Sequence, residues 1–253
     1  MEHVKTIEEV VCRCAKCMRV CIFPYDNADD KYSLTTLSSK TFDIILNCTH
    51  VPKNDAVIFV GGFMDTLLCH MLILATEYSQ KNPNQDIWYT TYNSKKQLAR
   101  IIKTYNEQNK KVILVGHSWG GDTAAHLLAE NQDIHVDLLI TLDPVSKKGP
   151  PEKTSNMGTW LNEYVDYNIS GITASNMVAF IGGRWKNAAN ADVNITQQEW
   201  GAQAESLGNK TLKDLDHADV YWMFFCDRLA PFWKKVLPES VFNLPTEPSP
   251  QIN

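Results

Sequence analysis

Ser118 has the residue type and surroundings best suited to chemistry. It lies in Gly116-His117-Ser118-Trp119-Gly120-Gly121, directly after the apolar run Val112–Val115 and directly before the helix-like segment Trp119–Glu130. A serine flanked by glycines two residues before and two after, at a strand-to-helix junction, occupies a sharp bend that presents its hydroxyl at a sheet edge. Side chains at positions 116 and 120 would collide with neighbouring elements, and glycine removes both collisions. The bend also sets Ser118 at a helix N-terminus, where the positive dipole end favours an oxyanion.

A neutral hydroxyl needs a base to become a nucleophile. When the nucleophile stands on such a bend, an acid and then a histidine follow it along the chain. The histidines are at 3, 50, 70, 117, 126, 135 and 217. His117 lies inside the bend, with its side chain expected to point away from the hydroxyl. His126 is two turns along the following helix, and His135 precedes every good acid candidate. His217 remains, in Asp214-Leu-Asp-His217-Ala-Asp-Val, a loop leading into a helix. The bland alternative is a surface histidine among aspartates. Two acids stay open. Asp143 ends the buried run Leu138–Leu142, 25 residues after Ser118 and just before Pro144. From the C-terminal edge of a strand a carboxylate can reach an imidazole at the same edge. Its alternative role is to cap the turn. Asp192, in Asn187-Ala-Ala-Asn-Ala-Asp192, lies in the loop after the next expected strand. Two amide donors are also needed for a tetrahedral oxyanion. The N–H of Trp119 comes with the bend, and the second should come from the loop after an earlier strand.

The elements that must position these groups alternate from residue 56 onward. Ala56–Val60, Ile87–Tyr92, Val112–Val115 and Val136–Leu142 read as short apolar strands, with Met177–Ile181 as a further one. Between and after them, Leu67–Ser79, Ser94–Asn109 with Ser94 as N-cap, Trp119–Glu130 and Ala218–Leu229 read as helices. Continuous apolar strands separated by helices indicate a mostly parallel central sheet covered on both faces, an α/β class. Residues 144–175, rich in Pro, Gly, Lys and Ser, read as a lid-like excursion, and 182–210 as loop-rich. Residues 1–55 would hold an amphipathic helix over 3–22 and a hairpin from Tyr32–Ser39 and Thr41–Cys48. One domain over 1–242 suffices, followed by a proline-rich tail, 243–253, expected to be disordered.

Together, the bend, Leu138-Leu-Ile-Thr-Leu-Asp143-Pro144 and Val57-Ile-Phe-Val60-Gly61-Gly62-Phe63-Met64-Asp65 resemble the pancreatic-lipase-like branch of the α/β-hydrolase fold. The resemblance covers Val57 to Tyr221. It implies a Ser118–His217–Asp143 triad, with Asp143 orienting His217, and Phe63 and Trp119 amides as the oxyanion hole. In that branch the oxyanion segment reads His-Gly-Phe-Ile-Asp. Gly61 stands where the family has histidine, so any loop-fixing role of that imidazole is missing. The alternative for Gly61-Gly62 is a plain turn leaving a strand. The implied activity is carboxylic ester hydrolysis on lipid-like substrates, as in lipases and phospholipases, with no cofactor and no metal. A thioesterase or acyltransferase would share the triad. A toxin-like antibacterial lipase effector, delivered by contact-dependent secretion, and a degenerate interaction module also stay open. Phe63, Met64, Trp119, Trp160, Trp185 and Trp222 form an expected aromatic and apolar mouth suited to acyl chains; Trp222, with Phe224 and Phe225, could instead pack a C-terminal helix.

Composition narrows the partners. Of 253 residues 44 % are hydrophobic and 21 % charged, ordinary for a sizeable core, and the net charge of −5 argues against a nucleic-acid polyanion. The longest apolar runs, such as Met71–Ala75 and Tyr221–Cys226, fall far short of the ~20 residues of a membrane span, which leaves peripheral contact with membrane lipid. The N-terminus lacks a clean apolar signal region, so a cytosolic product is expected, with export lacking a cleaved signal left open. Cys12, Cys14, Cys17 and Cys21 are dense enough for a metal, but structural zinc sites pair two knuckles, and these do not. A small apolar helix face is the simpler reading, with metal, disulfide or acylation as alternatives.

Overall fold

The computed structural model describes residues 20–21, 52–63, 65–207 and 210–242. The hairpin, Met64, the tail and all of the expected N-terminal helix except residues 20–21 lie outside these, as do Cys12, Cys14 and Cys17. Val20–Cys21, expected to be helical, instead form a two-residue strand, β1, beside Ile87–Trp88.

The sheet then takes up β2 (Ala56–Gly61), β3 (Asp86–Thr91), β4 (Val112–His117), β5 (Val136–Leu142), β6 (Met157–Glu163) and β7 (Val193–Ile195). Their order is β1-β3-β2-β4-β5-β6-β7, and every described pairing is parallel. Parallel strands are buried on both faces, which is why β2, β3 and β4 contain no exposed residue. Alternate residues feed two cores. Val57, Phe59, Ile113 and Val115 face one, closed by helices α2 (His70–Lys81), α8 (Val220–Phe224) and α9 (Ala230–Val236). Ala56, Ile58, Val112 and Leu114 face the other, closed by α3 (Lys95–Glu107) and α4 (Trp119–Glu130). Helix α3 buries Leu98, Ile101, Ile102 and Tyr105, one stripe at helical spacing.

Four further expectations change. Residues 144–175 are not an excursion as a whole, because Met157–Glu163 is a sheet strand between β5 and β7. Its sequence, Met-Gly-Thr-Trp-Leu-Asn-Glu, hides this by carrying polar residues inside. Asn162 is fully buried, accepting from the Thr141 hydroxyl at 2.9 Å and donating to Asn194 Oδ1 at 2.9 Å. Met177–Ile181 is helical, within α6 (Ala174–Gly182). The Thr173 hydroxyl caps it by accepting from Asn176 N–H, and Gly183 ends it at φ 87°. Its five apolar residues in a row imitate a strand. Finally, 182–210 contains β7 and helix α7 (Gln197–Ser206), and the segment 167–170 forms α5 (Tyr167–Ser170). The segment expected as one helix, Leu67–Ser79, is broken at Cys69 (φ 54°) into α1 (Asp65–Leu68) and α2.

Glu163, at the end of β6, is fully buried, and among the described residues neither carboxylate oxygen has a hydrogen-bond partner. Burial, reinforced by the nearby Glu199 carboxylate, pushes its acid well above the usual range. A raised folded-state pKa gives a contribution that is complete below the ordinary value and lost as pH rises through the folded value. Glu163→Gln removes that loss. The gain in Tm of the variant over the parent is therefore expected to be small near about pH 5 and to grow toward about pH 8. Thermal melts across that range check it, and a difference independent of pH would contradict it.

Candidate active site

Ser118 stands between β4 and α4 with φ 55° and ψ −128°, a conformation that side chains rarely adopt. The surrounding hydrogen bonds hold it there. Its N–H donates to the Leu142 carbonyl, and its own carbonyl accepts from Gly121, Asp122 and Val145. The flanking glycines are needed for the reason the sequence suggests. A Cβ on Gly120 would strike the Val60 carbonyl oxygen, and one on Gly116 would come within 2.5 Å of the Gly120 oxygen.

Asp143 follows β5, the strand beside β4, and also carries a positive φ, 39°. It is fully buried. Its Oδ1 accepts from Val165 N–H at 3.0 Å, and its Oδ2 lies 2.6 Å from Nδ1 of His217. His217 comes from the loop after the 3₁₀ turn Leu212–Asp214 and is 6 % exposed, so it is not a surface histidine. Asp192 is elsewhere. Its carboxylate accepts from Trp160 N–H at 2.7 Å and pairs with Lys153 at 2.6 Å, an anchor at the start of β7. The structure thus brings Asp143, and not Asp192, to the imidazole.

Three side chains with no role assigned from sequence hold the loop of His217. Asn176 Oδ1 accepts its N–H at 3.0 Å, His117 Nε2 donates to its carbonyl at 2.8 Å, and His70 Nδ1 donates to the Ala218 carbonyl at 2.9 Å. The His117 ring lies against that of His217, centroids 4.5 Å apart. Burial, with the neighbouring His217, pushes the His117 imidazole well below its ordinary range. That shift favours the neutral form of the His117 ring. No spacing in the sequence marks Asn176 or His70 for this.

Ser118 and His217 line one cavity of about 350 Å³. Its wall includes Gly62, Phe63, Leu68, Trp119, Val145 and Val178. The chain after β2 reaches it closely: a Cβ on Gly62 would sit 2.6 Å from the Ser118 Cβ. The next residue, Phe63, packs its ring against Trp119, centroids 5.2 Å apart and planes tilted by 50°. Trp160 and Trp185 lie in the α3/α4-side core and Trp222 in the opposite one, so these three do not form the mouth. They read as mouth residues only because sequence does not reveal which tryptophans the sheet covers.

Gly61 sits where an imidazole would not fit, because a Cβ there would strike the Asp65 carboxylate and come within 2.7 Å of the Tyr89 hydroxyl. That pair anchors the loop instead. Asp65 accepts from Tyr89 Oη at 2.5 Å and from Met71 N–H at 2.7 Å, and its own N–H donates to the Gly62 carbonyl. Burial pushes the Asp65 carboxyl up, with the Tyr89 bond pulling it back.

The arrangement is a strained serine after the central strand of a parallel sheet with helices on both faces. Residues 74–171 match the family described as alpha/beta hydrolase fold, a stretch holding Ser118 and Asp143. The fold is that of the alpha/beta hydrolases. A protein from Xanthomonas campestris pv. campestris, described as a hydrolase of the alpha/beta superfamily, is similar at 14 % identity over 66 % of this chain and 98 % of its own, with a TM-score of 0.35. No curated protein matches the chain.

Proposed function

We propose that this alpha/beta hydrolase is a serine esterase acting on lipid-like carboxylic esters, with Ser118, His217 and Asp143 as its triad. The observation that carries the reading is the buried His217–Asp143 pair opening onto the same cavity as a serine held in a strained bend. His217 accepts the Ser118 proton as Oγ attacks the acyl carbon. Asp143, accepting from Nδ1–H, fixes the tautomer and stabilises the imidazolium. The oxyanion is received by the backbone N–H groups of Phe63 and Trp119. The imidazolium then protonates the departing alkoxide, the C–O bond breaks, and an acyl-enzyme remains. Water, deprotonated by His217, cleaves it to the free acid and restores Ser118. Apolar side chains around the opening, among them Phe63, Leu68, Val145 and Val178, support an acyl chain over a polar substrate.

The test is covalent labelling. A fluorophosphonate should modify Ser118, located by peptide mass spectrometry, and labelling should abolish hydrolysis of short-chain and phospholipid esters. A chain that neither takes the label at Ser118 nor cleaves any ester is not a serine esterase.

The oxyanion loop adds an expectation of its own. Gly62→Ala forces a methyl into the space of the Ser118 side chain. It is expected to lower kcat/KM on a soluble ester about 10²-fold, as misplacement of the reacting groups does. Steady-state kinetics beside a thermal melt separate this from unfolding.

A further inference from the structure

Helix α6 has its polar side turned inward. Asn176 is 1 % exposed, donating to Ser170 Oγ and the Gly171 carbonyl as well as accepting from His217 N–H. Outward stand Met177, Val178, Phe180 and Ile181, the last two 66 % and 67 % exposed, with Ile172 just before the helix at 87 %. A helix on a water-facing surface ordinarily turns its apolar stripe to the core. Large apolar side chains clustered outside it mark a contact surface. The patch is continuous with the cavity, because Val178 lines it, as do the exposed Phe63 and Leu68.

Charge says what would cover it. The chain carries a net −5, yet residues 144–189 hold five basic side chains against three acidic ones, one of which is the buried Glu163. Lys147, Lys148 and Lys186 are exposed, and among the described residues none of them is in an ion pair. Ser146 N–H donates to the Gly183 carbonyl, and Val145 bridges Arg184, so Lys147 and Lys148 follow directly beside the C-terminal end of α6. Exposed apolar side chains next to unpaired lysines match the boundary of a bilayer with anionic headgroups, apolar groups entering the acyl region and ammonium groups meeting phosphate. A second copy of the chain docked face to face would set like charges together.

We infer that α6 and its flanking lysines dock the protein on an anionic membrane surface, with the cavity mouth toward the lipid. The esterase reading above gives that orientation its meaning, but the docking does not require hydrolysis. Among the described residues no helix is long and apolar enough to cross a membrane, so the contact is peripheral.

The full chain carrying Ser118→Ala, which leaves lipids intact, is sedimented with phosphatidylcholine vesicles and with vesicles containing about one-third phosphatidylglycerol. It should bind the second kind more tightly, and less so as salt rises. The double variant Phe180→Ser, Ile181→Ser should lose about tenfold or more in binding. Lys147→Glu with Lys148→Glu should abolish the preference for phosphatidylglycerol. All four positions are exposed, so a thermal melt near the parent's is expected and keeps folding out of the result. Equal or absent binding to both vesicle types, or unchanged binding by the serine double variant, overturns the inference. So does a dimer in light scattering that becomes a monomer in that variant, which would assign the patch to a second copy. Binding without cleavage of any ester would sink the esterase reading and leave this one standing; cleavage of soluble esters without vesicle binding does the reverse.

Discussion

Ser118→Ala is expected to lower kcat for ester hydrolysis by about 10⁶-fold while leaving the melting temperature near the parent's or above it. The loss is large because, in the proposed triad, the hydroxyl, the imidazole and the carboxylate act as a unit, and without the attacking atom the other two have nothing to activate. What remains is the contribution of the oxyanion donors and of binding, which can still assist direct attack by water. Stability should not suffer, since the residue's backbone hydrogen bonds do not involve its hydroxyl: Ser118 N–H to Leu142 and Ser118 carbonyl to Gly121, Asp122 and Val145. Initial rates at saturating soluble ester, with active-site titration of the parent, measure it. A variant retaining more than about one per cent of the parent rate would remove Ser118 from the chemistry.

Asp143→Asn is the second large effect, about 10⁴-fold in kcat. The amide is nearly isosteric and can still accept from Val165 N–H through its oxygen. If it does, its NH₂ faces Nδ1 of His217 and selects the tautomer with the proton on the wrong nitrogen. The same change at Asp192 is expected to alter kcat by no more than about threefold. There the carboxylate serves Lys153 and Trp160 N–H, and the loss falls on stability, about 1 kcal/mol. Parallel kinetics and melts on the two variants decide the point. Equal losses of activity in the two variants would contradict the assignment of Asp143 as the triad acid.

The part of this architecture closest to Ser118 is the most legible from sequence. Trp119–Glu130 and Val136–Leu142 have the bounds that apolar periodicity predicts, because their residues obey one rule each: an apolar stripe for the helix, a continuous apolar run for a strand covered twice. Reading fails where burial and polarity part company. Met157–Glu163 is a strand flanked on both sides and containing a buried amide and a buried acid, and its identity depends on Thr141 and Asn194, partners on other strands. Met177–Ile181 is a helix whose apolar side chains face outward, so neither spacing nor hydropathy reveals it. The candidate site divides in the same way. Ser118 announces itself through its glycines, and His217 follows from order along the chain, whereas order leaves Asp143 and Asp192 open and only the lipase-like resemblance favours Asp143. Asn176, His70 and the Asp65–Tyr89 pair are visible only once segments 24 to 148 residues apart have been brought together.

Ser118 and Asp143 end neighbouring strands, and both are non-glycine residues at positive φ. Backbones of this kind cost roughly 1–3 kcal/mol each, a burden that glycine would relieve. Selection for heat resistance alone would therefore tend to erase these two side chains first, trading reactivity for repose. Their presence side by side makes this corner of the molecule a place where robustness has been given up, and variants recovered from a purely stability-driven screen deserve sequencing at positions 118 and 143 before anything else.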